Sequence, residues 1–446
     1  MPNLKNIVNS ISSGPIWLGE LLVNINKNPS LIFGKTYDKN YKVFNQKEIF
    51  RTNDLLDVVN YSLANVPYYK DLYNGLKINS IEEFENIIDF IEKDTVLNDL
   101  NKFLSTDFSN GKYDLVTTGG TTGTPMKLYV PKDRYKVELA AVHSAWNRVG
   151  YNFSKRAVLR NSKVIDRPYE INPITREYIF DGFNLTESNF YHIYNVMKKR
   201  NIKFLHAYTS NAFAFSKFLV SHKLDVSFIH AFLTASENVY PHQHEYITNT
   251  AGIRHYNIYG HSEKLAFAGF CKDSDIYHFE PSYGYVELIN DNNLKVCTPG
   301  EIGEIVASTI SNKGMPLIRY KTGDYAEYAY NECPNCGHKG LSVKRILGRW
   351  GGDKIYNLDG SYVTTTALNL HNSIYEKIEG LQYYQPKKGV LDIRVIPNKN
   401  FNADVVDQLR NVISTKLSLD SVVNIVQVNS LEKNRNGKFL LLVSDI

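Results

Sequence analysis

Cysteine is scarce in this sequence: four residues among 446 cannot build a disulfide scaffold. Reduced thiols suit the cytosol, where we expect the protein to reside. Long apolar runs are missing too. The stretch from Ile7 to Ile25 is partly apolar, but Asn9, Ser10, Ser12, Ser13 and Glu20 interrupt it, and no run elsewhere reaches the length that crosses a bilayer. Membrane insertion is therefore not expected. Nor is there a block of like charge. The 51 Lys and Arg against 46 Asp and Glu leave a formal charge of +5, spread along the chain, which argues against nucleic acid or an anionic membrane as main partner and accommodates an anionic small substrate. Internal repeats and low-complexity tracts are absent.

What is present is core material. With 43% apolar residues, 22% charged residues, 31 Tyr and 22 Phe, the chain is globular rather than disordered. Its length exceeds what one core usually supports, so at least two units are expected. Residues from about 46 to 100 show helical spacing through Leu55, Val58, Val59 and Leu63, then Ile81, Phe84, Ile87 and Ile91. From 113 onward, strand-like Lys127–Val130 and Phe204–His206 alternate with helical Tyr135–Val149, Ser188–Lys199 and Asn211–Leu219, which predicts an α/β core. A β-rich subdomain follows in Tyr283–Ile289, Glu304–Ser308 and Leu317–Tyr320. The last hundred residues read as an α+β unit: helix at Thr365–Lys377, strands at Leu381–Tyr384 and Leu391–Val395, helix at Ala403–Leu417, strand at Val422–Val428. We place the boundary between 349 and 350, beside the adjacent Gly351 and Gly352. The fold expected is α/β with a β-rich subdomain over 1–349, followed by a small mobile α+β domain over 350–446.

Five segments carry chemistry. In Thr117-Thr118-Gly119-Gly120-Thr121-Thr122-Gly123-Thr124-Pro125, glycines admit a polyphosphate to the backbone while N–H groups and hydroxyls donate to it. No Gly-Lys-Ser/Thr ending follows, so it is not a Walker loop, and a Gly/Thr hairpin turn is the competing reading. In Tyr256-Asn257-Ile258-Tyr259-Gly260-His261-Ser262-Glu263, Tyr259 can stack on a purine and Glu263 can give one oxygen to Mg²⁺, though an ordinary solvent-facing turn fits as well. Met315 to Asp324 reads as a strand ending in Thr322-Gly323-Asp324, where a carboxylate can accept from both ribose hydroxyls, or as a plain turn. Gly348-Arg349 with Asp353, and Asn436-Gly437-Lys438, complete the set.

In this order the five segments resemble the adenylate-forming superfamily of acyl-CoA synthetases, adenylation domains and luciferases, over roughly residues 110 to 440. The resemblance is strongest to the phenylacetate-CoA ligase branch, including relatives in capsule and surface-polysaccharide pathways. Leu205-His206-Ala207-Tyr208-Thr209-Ser210 and Gly314-Met315-Pro316-Leu317-Ile318-Arg319-Tyr320 support that branch. It implies an ATP- and Mg²⁺-dependent ligase that adenylates a carboxylic acid and passes the acyl group to an acceptor, with CoA expected. Thr117 to Thr124 would hold the triphosphate, with Thr122 catalytic. Tyr259 would contact adenine, with Gly260, His261 and Ser262 around it, and Ser236 and Glu237 would line the nucleotide. Glu263 would bind Mg²⁺, Asp324 the ribose, and Arg349 the ribose or phosphate. Lys438 would reach the α-phosphate, where a compact mobile cation neutralises gathering charge.

The resemblance also implies a closed structural Zn²⁺ site, since relatives pair a Cys333-Pro-Asn-Cys336 knuckle with an upstream Cys and His, here Cys271 and His278. A site using His338 instead, or a metal-free pair, remains open, and Cys297, which matches no partner, is expected to be a buried apolar residue. The family's acidic hinge is replaced by Trp350-Gly351-Gly352-Asp353, which keeps rotation of the small domain available but obscures the pivot. Trp146, His206 and Tyr208 either receive a planar acid or pack the core. Two alternatives stand: an amide-forming ligase with an amine acceptor, and a nucleotide-binding protein without turnover. The oligomeric state is open, a homodimer included.

Overall fold

The computed structural model describes residues 14–46, 52–117, 126–160, 162–164, 166–182, 184–237, 239, 241–348, 354–365, 368, 374, 377–418, 420–432 and 442–446. Two compact units result, Met1–Asp114 with Tyr129–Arg349, and Leu115–Leu128 with Trp350–Ile446.

The first unit opens with helices α1 (Ile16–Ile25), α2 (Pro29–Asn45), α3 (Thr52–Asn65), α4 (Pro67–Leu72), α5 (Ile81–Ile87) and α6 (Lys93–Asn98). Their starts follow local chemistry. Ser80 accepts from the Glu83 N–H (3.1 Å), while the Glu83 carboxylate takes the Asn79 N–H (2.8 Å), a reciprocal cap that stops α5 from fraying. On α3 the buried face is Leu55, Val58, Val59 and Leu63, the stripe anticipated from spacing. Strands β1 (Tyr113–Thr117) and β2 (Lys127–Pro131) pair as a short ribbon, of which residues 115–117 and 127–128 are assigned to the second unit.

Next, helices and strands alternate: α7 (Arg134–Asn147), β3 (Arg156–Leu159), β4 (Glu170–Asn172), β5 (Glu177–Ile179), α8 (Glu187–Lys199), β6 (Phe204–Ala207), α9 (Thr209–Ser221), β7 (Ala231–Ala235), α10 (Pro241–Glu245) and β8 (Arg254–Gly260). Only strands follow, β9 (Phe267–Phe270), β10 (Tyr277–Phe279), β11 (Gly284–Ile289), β12 (Ile302–Thr309), β13 (Tyr320–Glu332) and β14 (Lys339–Gly348). All except β1 and β2 join one twelve-stranded sheet in the order β11-β12-β13-β14-β10-β9-β8-β7-β6-β3-β5-β4. Strands β5, β3, β6, β7 and β8 run parallel, and β8 to β14 close the other half antiparallel. The parallel half buries Leu159, Leu205 and Phe232 against Phe190, Ile193 and Met197 of α8 and Phe215 and Leu219 of α9. Each such side chain contributes roughly 1.5–3 kcal/mol on leaving water.

Two expectations need correction. Leu317–Arg319 is not strand: Arg319 takes φ +50°, which breaks the extended path, and β13 begins only at Tyr320. Thr322-Gly323-Asp324 therefore lies near the start of a strand, not its end. Because Glu304 pairs with Tyr325 and Val306 with Lys321, those three residues stand against Ile305 alone, a bulge made possible by Gly323 at φ +77°. The anticipated helix at Thr365–Lys377 falls largely outside the described residues.

The second unit carries a hairpin of β15 (Lys354–Tyr356) and β16 (Tyr362–Thr364), then β17 (Ile378–Lys387), β18 (Val390–Pro397), α11 (Ala403–Ser414), β19 (Val422–Gln427) and β20 (Leu442–Ser444). Four of these form a sheet in the order β19-β18-β17-β20. Its core joins Leu381, Tyr383, Leu391, Ile393 and Val395 to Val405, Leu409 and Ile413 of α11. The architecture is thus α/β with an antiparallel β-rich part, plus a smaller α+β unit.

Candidate active site

Strands β3, β6, β7 and β8 point the same way, so their C-terminal ends share one edge of the sheet. That edge is where open α/β sheets bind ligands. It carries Arg160 after β3, Tyr208 and Thr209 after β6, Ser236 and Glu237 after β7, and Tyr259 to Glu263 at and after β8. Among the described residues, candidates from three separate stretches of sequence are therefore brought to one edge.

At the β8 end, the Tyr259 hydroxyl donates to Asp324 Oδ2 at 2.8 Å, joining the proposed adenine and ribose contacts. Burial, with Asp324 beside it, holds the Tyr259 hydroxyl well above its ordinary pKa, so it stays a donor. The bulge aims Asp324. Thr322 Oγ1 donates to the Ile305 carbonyl (2.7 Å) and accepts from the Asp324 N–H (3.1 Å), while the Gly323 N–H is held by Glu304 (2.9 Å).

Glu263 is buried and bonded to His261: Nδ1 lies 2.8 Å from Oε2. His261 Nε2 accepts the Ala266 N–H (3.1 Å), so the ring proton sits on Nδ1 and is donated to the carboxylate. The Tyr320 hydroxyl lies 3.5 Å from Oε1. Helix α7 clamps the loop that bears Glu263. Arg134 donates to the Lys264 carbonyl (3.0 Å), and Glu138 takes the Lys264 ammonium (3.1 Å) and the Tyr283 hydroxyl (2.5 Å). One rigid carboxylate suits Mg²⁺, which usually takes one or two from the protein and the rest of its shell from phosphate and water.

Ser236 sits at φ +70°, a conformation costly for a residue with a Cβ and concentrated at functional edges. Both Glu237 oxygens are used by Ser210, one by its N–H (2.9 Å) and one by its hydroxyl (3.1 Å), so Glu237 anchors the start of α9. Gly260 closes β8, and Ser262 lies in the turn before Glu263.

At the β3 and β6 ends the three aromatic candidates converge. Trp146 and His206 rings meet edge to face at 4.9 Å, and Arg160 lies 5.5 Å over the Tyr208 ring. Arg160 Nη1 is 2.7 Å from His206 Nε2. A guanidinium only donates, so Nε2 accepts and the neutral ring carries its proton on Nδ1. Burial, then Arg160 and Arg156, hold His206 well below its ordinary pKa and keep it neutral. That Nδ1 and the Trp146 Nε1 are buried with no hydrogen-bond partner among the described residues, a state that costs about 1–3 kcal/mol each.

Away from this edge, Cys271, His278, Cys333 and Cys336 bring their ligand atoms within 4.8 Å of one another. His278 Nδ1 lies 2.9 Å from Ser342 Oγ, which leaves Nε2 facing Cys336 Sγ at 3.4 Å. A ligating imidazole commonly has its other nitrogen fixed in this way. His338 instead stacks on His278 and gives Nε2–H to the Phe279 carbonyl (3.1 Å). Three thiols and one imidazole form a four-donor set of the kind that holds Zn²⁺ in structural sites.

Thr117 ends β1, whereas Thr118, Gly119, Gly120, Thr121, Thr122, Gly123, Thr124, Arg349 and Lys438 lie outside the described residues, as does the 350–353 joint. Cys297, expected to be buried, is exposed, because it lies just before the surface turn at Thr298 to Gly300. Sequence reading missed Arg160 and the Arg134–Glu138–Lys264 clamp. A basic residue directly after the apolar run Ala157-Val158-Leu159 was the available signal for the former.

No family model matches the chain. Protein CapK of Staphylococcus aureus is 21% identical over 457 residues, 97% of this chain and 98% of that one. Phenylacetate-coenzyme A ligase of Thermus thermophilus is 30% identical over 144 residues, 32% of each chain. Among solved structures, 2-hydroxyisobutyryl-CoA ligase with 2-HIB-AMP and CoA in its thioesterification state superposes with a TM-score of 0.57 at 15% identity, covering 92% of this chain and 90% of that one. The same ligase in its postadenylation state gives 0.53 at 14% identity, with 88% of each chain covered. The chain thus shares its fold with 2-hydroxyisobutyryl-CoA ligase, and its sequence is similar to CapK over nearly the whole chain and to phenylacetate-CoA ligase over about a third of it.

Proposed function

We propose that the chain is an ATP- and Mg²⁺-dependent acid ligase that converts a carboxylic acid to an acyl-adenylate, releases pyrophosphate and transfers the acyl group to CoA. The observation that carries this reading is the hydrogen bond between Tyr259 and Asp324, made beside the buried Glu263 at the C-terminal edge of the parallel strands. In the first step the substrate carboxylate attacks the α-phosphorus and the bond to pyrophosphate breaks. Asp324 would hold the ribose, Tyr259 the base, and Glu263 the metal. Thr117 to Thr124 and Arg349 would position phosphates, and Lys438 would neutralise the pentavalent oxygens. In the second step the thiol of CoA attacks the acyl carbonyl and AMP leaves.

The domain assignment belongs to the same reading: residues 350–446 would carry Lys438 in for adenylation and swing away for transfer. Cys271, His278, Cys333 and Cys336 would hold one structural Zn²⁺, which suits a closed set with no open position. An amine acceptor in place of CoA is the second outcome that the acceptor assay separates.

Acid-dependent exchange of pyrophosphate into ATP tests the reading, followed by CoA and amines as acceptors of the preformed adenylate. Glu263→Gln should lower the exchange far more than it lowers stability, because an amide is a poor ligand for a hard cation. ATP binding without exchange, for any acid, would leave a nucleotide-binding protein without turnover.

A further inference from the structure

Arg160 is a cation with no carboxylate opposite it among the described residues. Among those residues its partners are the neutral His206 Nε2 and the face of Tyr208. Glu237, whose charge reaches Tyr208, gives both oxygens to Ser210. Beside Arg160, His206 Nδ1 and Trp146 Nε1 are buried donors without acceptors, on rings 4.9 Å apart. A guanidinium and two N–H groups therefore gather at the ends of β3 and β6, and all of them ask for an acceptor.

We propose that Arg160 receives a second carboxylate on the acid substrate, so that the chain activates a dicarboxylic acid. This rests on the ligase reading given above. A guanidinium presents a planar fork that matches a carboxylate, and one unpaired positive charge balances one carboxylate but not a phosphate dianion. Arg160 is placed for the far end of the acid. Between β3 and β8 lie β6 and β7, three strand spacings of about 4.8 Å or roughly 14 Å, so a group on Arg160 is well separated from one reacting at the nucleotide end. A plain aromatic or fatty acid would bring no carboxylate to the Arg160 charge.

Matched pairs of probes test this: α,ω-diacids of four to fourteen carbons against monoacids of equal length, and terephthalate against benzoate. Calorimetric binding, which needs no turnover, and pyrophosphate exchange are both measured. In the wild-type chain the best diacid should exceed its monoacid partner by roughly 100-fold in kcat/KM, with a parallel gap in Kd. Arg160→Gln should collapse that ratio towards one, and Arg160→Lys should keep part of it, with circular dichroism verifying the fold of each variant. Monoacids equalling diacids in the wild-type chain overturn the proposal without any variant, as does binding of neither member of any pair. A ratio that survives in folded Arg160→Gln also overturns it. Exchange with monoacids alone refutes the dicarboxylate while leaving the ligase reading intact, whereas diacid binding without exchange does the reverse.

Discussion

Removing the guanidinium of Arg319 should destabilise the first unit at the seam between its helices and its sheet. Arg319 is buried and pairs with Glu287 through two bonds, Nε to Oε2 at 3.1 Å and Nη2 to Oε1 at 2.8 Å, with the Glu287 side chain 1% exposed. Its Nη1 also donates to the carbonyls of Glu85 (2.5 Å) and Ile88 (2.7 Å), at the end of α5, and the guanidinium lies 4.0 Å over the Phe90 ring. Arg319→Met keeps the length of the side chain but strands Glu287 in the core, which costs about 3–5 kcal/mol. Total stability of a domain is about 5–15 kcal/mol, so this is a large share. With a urea m-value of about 3 kcal/mol per molar, a loss of about 4 kcal/mol lowers the unfolding midpoint by about 1.3 M. Adding Glu287→Leu should return most of that loss, because the stranded charge goes with it. The deficit of the single variant should also depend on pH. Burial already pushes the Glu287 carboxyl up, and without Arg319 it rises further, so the folded state binds the proton more tightly than the unfolded chain. Relief is then complete below the unfolded value of about 4.3 and is lost as pH rises through the folded one. Urea melts followed by tryptophan fluorescence compare wild type with both variants. A midpoint within about 0.3 M of wild type for Arg319→Met, or a double variant no more stable than the single, refutes the reasoning.

Tyr259→Phe should raise the KM for ATP about tenfold with little change in melting temperature, since it removes one charge-assisted hydrogen bond from Asp324; an unchanged KM in the exchange assay counts against the ribose assignment. Protein purified without added metal should contain one Zn²⁺ per chain, and stripping it with a chelator should lower the melting temperature. Metal analysis that finds none, with four freely titratable thiols and an unaltered melt, refutes that site. Lys438→Ala should slow adenylation by about 10²- to 10³-fold yet still convert chemically supplied acyl-AMP when CoA is present. Equal loss of both half-reactions would tie this lysine to folding instead of alternation.

Local periodicity made much of the fold legible. Helices α3, α7, α8, α9 and α11 and strands β6, β11, β12, β17, β18 and β19 fall within a few residues of where spacing placed them. Strands β3 and β7 escaped because both faces are covered: Arg156–Leu159 and Ala231–Ala235 are buried at every position, so no alternation marks them. The strand drawn through Leu317–Tyr320 failed for a different reason. Apolar residues there are buried as a bent segment, and nothing in their order announces that Arg319 turns to positive φ. At the site, Tyr259, Glu263 and Asp324 could be named from short motifs, but their meeting is set by a bulge and by strand order. The pairing of Arg160 with His206 links the residue just after β3 to one on β6, a relation that depends on β3 lying beside β6.

The place of β10 has a consequence for how the chain is made. One side of β10 pairs with β9, which precedes it closely, but its other side waits for β14, through Tyr277 with Val343 and His278 with Ser342. During synthesis, β11, β12 and β13 emerge first and can assemble as a meander of their own. Until β14 follows, β10 presents an unpaired edge flanked by Tyr277 and Phe279, a surface that invites pairing with another nascent chain. Slower translation or lower temperature would lengthen or calm that interval in opposite ways. Soluble yield should therefore respond most to residues near Ser342 and Val343, which seal the edge long after it is exposed.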